Sequence, residues 1–144
     1  MNGIDRFFEG MNISATGLSA ERIRMNVITQ NLAGANLTKV AGGGPYVRRV
    51  VEFAPLVETL PDGRQEYRGV QAERIAKDTK SEHIKIYDPG HSHADADGYV
   101  TLPNVNSLQE MADMVTAMRA YEANLQAQQG FVRMTTQALQ LARG

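Results

Sequence analysis

The sequence has no cysteine, no tryptophan, only 6% aromatic residues and no excess of charge of either sign. Each absence excludes something. Without cysteine there is no disulfide and no thiolate for a zinc site or a nucleophile, and the redox compartment is left open. Fifteen basic residues against sixteen acidic ones give a net charge of −1. That balance provides no field to hold a polyanion, so nucleic acid is not an expected partner. No stretch is long and apolar enough to span a bilayer, and direct membrane insertion is not expected either. The first thirty residues lack a basic segment followed by a continuous apolar core, so the sequence predicts no Sec-type signal. So few aromatics also argue against a large self-sufficient core, which makes stability expected to depend on assembly.

What is present is a seven-residue repeat at each end. Ile4, Met11, Leu18, Met25 and Leu32 form one series, and Met111, Met118, Leu125, Val132 and Leu139 form the other. Spacing of 3.5 residues keeps an apolar seam on one side of a helix, the pattern of helices that pack against other helices. Phe8 widens the first stripe. Gly10, Gly17 and Gly34 weaken it, each internal glycine costing about 0.5–1 kcal/mol relative to alanine. Elsewhere both segments carry neutral groups such as Asn12, Ser19, Asn26, Asn124 and Gln128, where a solvated helix often carries charge. Amides can bond to neighbouring helices without the cost of burying an ion. The second helix has a start signal, a Ser107 to Glu110 capping box, with Pro103 blocking an earlier start. It is predicted to run to about Ala142, roughly 50 Å at 1.5 Å per residue.

Between about Val40 and Leu102 the pattern changes to strands. Tyr46 to Phe53 is rich in β-branched and aromatic residues, and Asp62-Gly63 marks a hairpin turn. Further short strands are expected near Val70–Ile75, His83–Tyr87 and Tyr99–Leu102, with Gly42-Gly43-Gly44-Pro45 as a flexible joint. The expected fold is α+β, mainly α. Residues 1–36 and 105–144 form long terminal helices paired as an antiparallel coiled coil, and residues 37–104 form a small β-rich insert with flexible joints. In this reading the two seams face each other and the amides turn outward to neighbours.

One segment invites a chemical reading: His91, His93, Asp95 and Asp97 alternate within seven residues. On a strand, alternate residues share a face, so four donors could meet one metal ion. The preferred reading is a polar turn, in which Asp88, Asp95 and Asp97 bond to local backbone N–H groups and Gly98 takes a left-handed conformation. The sequence holds no nucleophile elbow, zinc-protease motif or phosphate loop, so neither an enzyme nor a cofactor is expected. The methionines at 11, 25, 111, 114 and 118 fit gap-filling between helices better than ligand binding.

The stretch from Leu18 to Thr38, with Asn31, Leu32, Ala33 and Asn36, resembles the N-terminal signature of bacterial flagellar rod and hook proteins. Gly34 stands where that signature has asparagine. Tyr87 to His91, Gly98 to Val100, and Pro103, Asn104, Val105 and Asn106 running on to Met114 narrow the resemblance to the FlgC-type proximal rod proteins of the flagella basal body rod family. Gly43-Gly44-Pro45-Tyr46 fits the same group. The resemblance implies a structural subunit of the basal-body rod, the periplasm-spanning shaft that transmits torque from the membrane ring to the distal rod and hook. It also implies export through the flagellar type III apparatus, self-association in a helical assembly, and contacts with other rod proteins and with the adaptor between rod and membrane ring. Phe7 and Met11 fit the spacing of an early-export recognition element. Two rival readings remain at this point: a metal-binding protein using His91, His93, Asp95 and Asp97, and a soluble coiled-coil adaptor of the secretion apparatus.

Overall fold

The computed structural model describes the backbone of residues 3–143 and the side chains of residues 8–141. Two long helices, α1 (Gly3–Gly34) and α2 (Ser107–Arg143), enclose in sequence the strands β1 (Arg49–Thr59), β2 (Gln65–Lys77), β3 (Lys85–Tyr87) and β4 (Tyr99–Thr101). Strands β1 and β2 form one antiparallel hairpin, and β3 and β4 a second, much shorter pair. The expected α+β fold with paired terminal helices and a small β insert is what forms. Among the described residues no helix is long and apolar enough to cross a membrane.

The helices run antiparallel with a fixed register. Gly10 lies against Phe131, Gly17 against Asn124, and Asn31 is hydrogen-bonded to Glu110. Each advance of seven on α1 therefore matches a retreat of seven on α2. A Cβ at Gly10 would sit 2.6 Å from the Phe131 ring, and one at Gly17 would sit 2.8 Å from the Asn124 amide nitrogen. The glycines expected to weaken α1 are the clearances that let α2 approach it.

This register corrects the expected direction of the seams. The facing positions lie one residue before them on both helices, so Met11, Leu18, Met25 and Leu32 are only partly covered. On α2, Met111 is 55% exposed, Met118 47%, Leu125 37%, Val132 51% and Leu139 62%. The seams do not face each other, and Asn124, an amide expected to turn outward, points inward instead, as does the motif residue Asn31. Phe8 is also half-exposed. Ile4 and Phe7 lie outside the described side chains. Among the described residues, the buried apolar core of Ala20, Val27, Ile28, Val100 and Ala117 contains no aromatic, leucine or methionine side chain.

The β1–β2 hairpin turns where Asp62-Gly63 predicts, with Gly63 at φ +82° and Leu60 and Arg64 bonded across the turn. It lies along α1. The Thr16 hydroxyl donates to the Ile13 carbonyl and accepts from the Val70 N–H at 3.1 Å, packing directly on Gly69. Gly69 has φ +131°, which together with that contact leaves no room for a side chain. Farther along, the Arg24 guanidinium lies 4.7 Å from the centre of the Phe53 ring, and Arg68 reaches Glu9 at 3.6 Å.

One further local expectation is corrected. The cap of α2 is Asn106, whose Oδ1 accepts from the N–H groups of Leu108 and Gln109 at 3.1 and 3.2 Å. Ser107 is already the first helical residue, and Glu110 is recruited elsewhere. At the glycine joint the Val40 N–H donates to the Gly44 carbonyl at 2.9 Å, and the Tyr46 N–H donates to the Leu37 carbonyl.

Candidate functional site

The residues that join the two helices to the β insert form a dense polar cluster, and its centre is Asn31. This side chain is 1% exposed and uses every bonding position of its amide. Its nitrogen donates to the Arg49 carbonyl at 2.8 Å and to Glu110 Oε2 at 3.0 Å. Its oxygen accepts from the Arg49 N–H at 2.9 Å and from the Tyr46 hydroxyl at 3.0 Å. By exchanging two bonds with Arg49, the side chain takes the place of a β-ladder partner just where β1 begins. Gly34 makes this possible, because a Cβ there would lie 2.6 Å from the Tyr46 ring.

Glu110 is completely buried. Its second oxygen accepts from Arg48 Nε at 2.6 Å, and Arg48 also reaches Asp78 at 3.3 Å and Asp113 at 3.5 Å. Burial opposes the charge on Arg48, but the bonds to Glu110 and Asp78 outweigh it and raise its pKa above the ordinary value. The Asp78 carboxyl is held down at about 2, first by the Ser81 hydroxyl and then by the Lys80 N–H. Burial raises the Tyr46 phenol. Asn104, 8% exposed, closes the cluster from the other end of the chain. Its oxygen accepts from the Arg48 N–H at 2.7 Å, and its nitrogen donates to the carbonyls of Asp78 and Ser81 at 3.0 Å each.

Of the motif residues picked out in the sequence, Asn31 and Asn104 thus come together on adjacent backbone units, Arg49 and Arg48. Pro103 is buried beside Asn104, Val105 is partly covered, and Asn106 caps α2. Leu32 is partly covered, while Ala33 and Asn36 are exposed. The sequence reading missed Glu110, Arg48, Asp78 and Tyr46 as members of this cluster. A signal for Glu110 was present: it falls in phase with Ala117, Asn124 and Phe131, the positions that face α1.

The alternating His91–Asp97 set is not brought together as a ligand group. The segment forms successive turns, not a strand, so alternation does not place its side chains on one face. Asp95 accepts from the N–H groups of Asp97 and Tyr99 at 3.1 and 2.8 Å, His91 accepts from the His93 N–H, and Gly98 has φ +82°. His93 pairs with the Thr38 hydroxyl at 2.8 Å. Among the described residues no group of three or more His, Cys, Asp or Glu side chains is placed to hold a metal ion.

The chemistry of this cluster is positional: its hydrogen bonds and ion pairs tie the helix pair to the insert. Comparison with known proteins agrees with a structural role. Residues 96–141 match the model of the flagellar basal body rod FlgEFG protein C-terminal region. The chain is 39% identical over 150 residues to flagellar basal-body rod protein FlgC of Borreliella burgdorferi, covering 95% of this chain and 98% of the relative. It is 44% identical over 120 residues to the FlgC of Aquifex aeolicus, with 83% and 85% covered. With the FlgC of Bacillus subtilis the identity is 34% over 148 residues, covering 94% and 98%. The chain belongs to the FlgC family of flagellar basal-body rod proteins.

Proposed function

We propose that the protein is a structural subunit of the bacterial flagellar basal-body rod and acts by packing its helix pair among other rod subunits. The observation that carries this reading, beyond the family, is the heptad seam of α2, which stays half-exposed in the single chain. A periodic apolar face of this kind calls for a helical partner. In this reading Ile4, Phe8, Met11, Leu18, Met25 and Leu32 on α1, with Met111, Met118, Leu125, Val132 and Leu139 on α2, are packing residues of the assembly. Residues 1–36 with 105–144 serve as the inner helical unit, and residues 37–104 brace it on the outside. The protein sits in the proximal rod and passes torque from the membrane ring toward the distal rod and hook. No residue has a catalytic role.

The finer partners belong to the same proposal: the flagellar type III export apparatus, with Phe7 and Met11 in recognition, and the adaptor that joins the rod to the membrane ring. The test is a deletion strain complemented with the unsubstituted chain. Rods should be missing from the deletion strain, restored on complementation, and contain the protein in purified basal bodies. Complete rods in the deletion strain, or a protein confined to the cytoplasm, overturn the reading.

A further inference from the structure

The two seams lie on one side of the helix pair. Each is displaced by one residue, about 100° of rotation, from the positions through which its helix meets the other. Because the helices are antiparallel, equal displacements in the direction of the sequence turn both seams the same way. The hairpin meets α1 through Glu9 and Thr16, one residue before the positions of Gly10 and Gly17. It therefore covers the opposite side. The chain has one side closed by its own insert and one open side edged by two apolar seams.

We propose that the open side is occupied by α1 of a second copy of the chain, presenting the face that carries Arg22. This rests on the rod-subunit reading and names the contact that would propagate it. Charge complementarity is the first argument. Glu122 lies on α2 between Met118 and Leu125, at the exposed edge of the open side, and makes no ion pair or hydrogen bond among the described residues. Arg22 lies on the outward face of α1 among the neutral residues Asn12, Ser19, Asn26 and Thr29, and is likewise without a partner. The neighbouring charges of α1 are committed, Glu21 and Arg24 to each other at 3.4 Å. Among the described residues, Arg22 is thus an unmatched cation facing outward at mid-helix on α1, and Glu122 an unmatched anion facing outward at mid-helix on α2.

Area is the second argument. A contact along the outward face of a stretch of about 25 residues of α1 is about 38 Å long and about 10 Å wide, or roughly 400 Å² per partner. That is about half of what a stable complex of two proteins buries on each side. One such contact does not hold a dimer in dilute solution, but a subunit in an array makes it twice, once with α1 and once with its open side. Two different surfaces meet, so the contact is heterologous and adds subunits without closing on itself, as a helical rod requires. If α2 of the second copy entered the open side instead, Arg119 and Arg133 would face Glu122, which gives the competing arrangement a distinct signature.

The experiment exchanges the two charges. Arg22→Glu and Glu122→Arg, each alone, should lower the yield of complete rods about tenfold or more, since each puts like charges face to face. The double exchange should return the yield to within about threefold of the original. Thermal melting of each purified chain should be unchanged, because both residues are exposed. As an independent readout, the cysteine-free chain permits Arg22→Cys and Glu122→Cys copies to be expressed together. A disulfide-linked dimer should form in basal bodies only when both are present. Failure of the double exchange to recover rods, a dimer from Glu122→Cys copies alone, linkage of Arg22→Cys only to a different protein, or no linkage at all would overturn the proposal. Absence of the unsubstituted chain from basal bodies would instead sink the rod-subunit reading.

Discussion

The polar junction and the open seam are built from the same two helices and treat their side chains in opposite ways. At the junction, Glu110 and Asn31 are withdrawn from water completely, and each finds specific partners within the chain. Along the α2 seam, methionines and leucines remain about half in water. The physical reason lies in what each kind of group can wait for. A buried polar atom without a partner costs on the order of 1–3 kcal/mol at once, whereas an apolar surface loses only in proportion to its exposed area. A subunit can therefore leave its apolar contacts to be completed by neighbours, but has to complete its buried polar ones itself. The junction sets the subunit's internal geometry, and the seam carries what geometry alone cannot satisfy.

If that division is right, a charge on the seam separates assembly from stability. Leu125→Asp should abolish rods and motility, while the unfolding free energy of the purified chain changes by less than about 0.5 kcal/mol, as for ordinary surface substitutions. Electron micrographs of basal bodies and a urea titration of the monomer read the two quantities. Normal motility, or a monomer much less stable than the original, would collapse the distinction.

The junction should behave in the reverse way. Glu110→Ala leaves the Arg48 guanidinium, 23% exposed, without its shortest partner and strips one donor bond from Asn31. Removing one member of a buried pair costs about 3–5 kcal/mol, and the urea midpoint of the isolated chain should fall accordingly. Asn31→Asp is the sharper probe. It keeps the shape but puts a carboxylate where nitrogen now donates to Glu110, and roughly 2–4 kcal/mol should be lost to repulsion and to the unmatched Arg49 carbonyl. Little effect from either variant would mean that the junction does not hold the insert.

Acid tests the same cluster more gently. Asp78 is 11% exposed at its side chain and titrates near 2 in the folded chain, below its ordinary 3.8. A depressed carboxylate stabilises the fold fully above its unfolded pKa and loses that contribution as pH falls through the folded one. Stability should thus decline by roughly 2 kcal/mol between about pH 4 and pH 2 through this group. Urea midpoints of the original chain and Asp78→Asn should converge across that window. Parallel pH profiles would show that Asp78 is not held by its bonds to Ser81 and Lys80.

How far the sequence speaks follows from what kind of interaction is at stake. Periodicity and turn chemistry are local, and they located both helices, the Asp62-Gly63 hairpin and the short strands near Tyr87 and Tyr99. The facing side of a helix is not local. Apolar spacing by itself places Met111 to Leu139 toward the nearest helix, yet Gly10 and Gly17 decide the matter, because α2 comes closest where α1 has no side chain. Those glycines keep a seven-residue step of their own, which was legible but read as weakness. The junction was half legible: Asn31 and Asn104 stand in recognisable motifs, but only three-dimensional proximity reveals that they clamp neighbouring backbone units. Glu110 was assigned to a helix cap because its spacing from Ser107 suits one, and Asn106 provides that cap more directly. In the His91–Asp97 segment, local turn bonding was foreseen, with Asp95 and Gly98 carrying it.

The smallest effect expected is also the cleanest contrast between glycines of the two helices. A Cβ at Gly130 meets nothing within 4 Å, so Gly130→Ala should gain about 0.5–1 kcal/mol from helix propensity with nothing to offset it. At Gly17 the same added methyl meets three atoms of the Asn124 amide between 2.8 and 2.9 Å away. Asn124 is itself tied to the Ala120 carbonyl at 3.0 Å, and displacing it gives up that bond, worth about 0.5–1.5 kcal/mol, along with the close approach of the helices. Gly17→Ala should therefore be neutral to destabilising despite the same propensity gain, and Asn124→Ala introduced alongside it should recover the stability lost. Equal stabilisation at both glycines, measured by denaturant unfolding of the isolated chain, would mean that α1 and α2 do not meet at Gly17. The seam would then have no fixed side from which to face its neighbours.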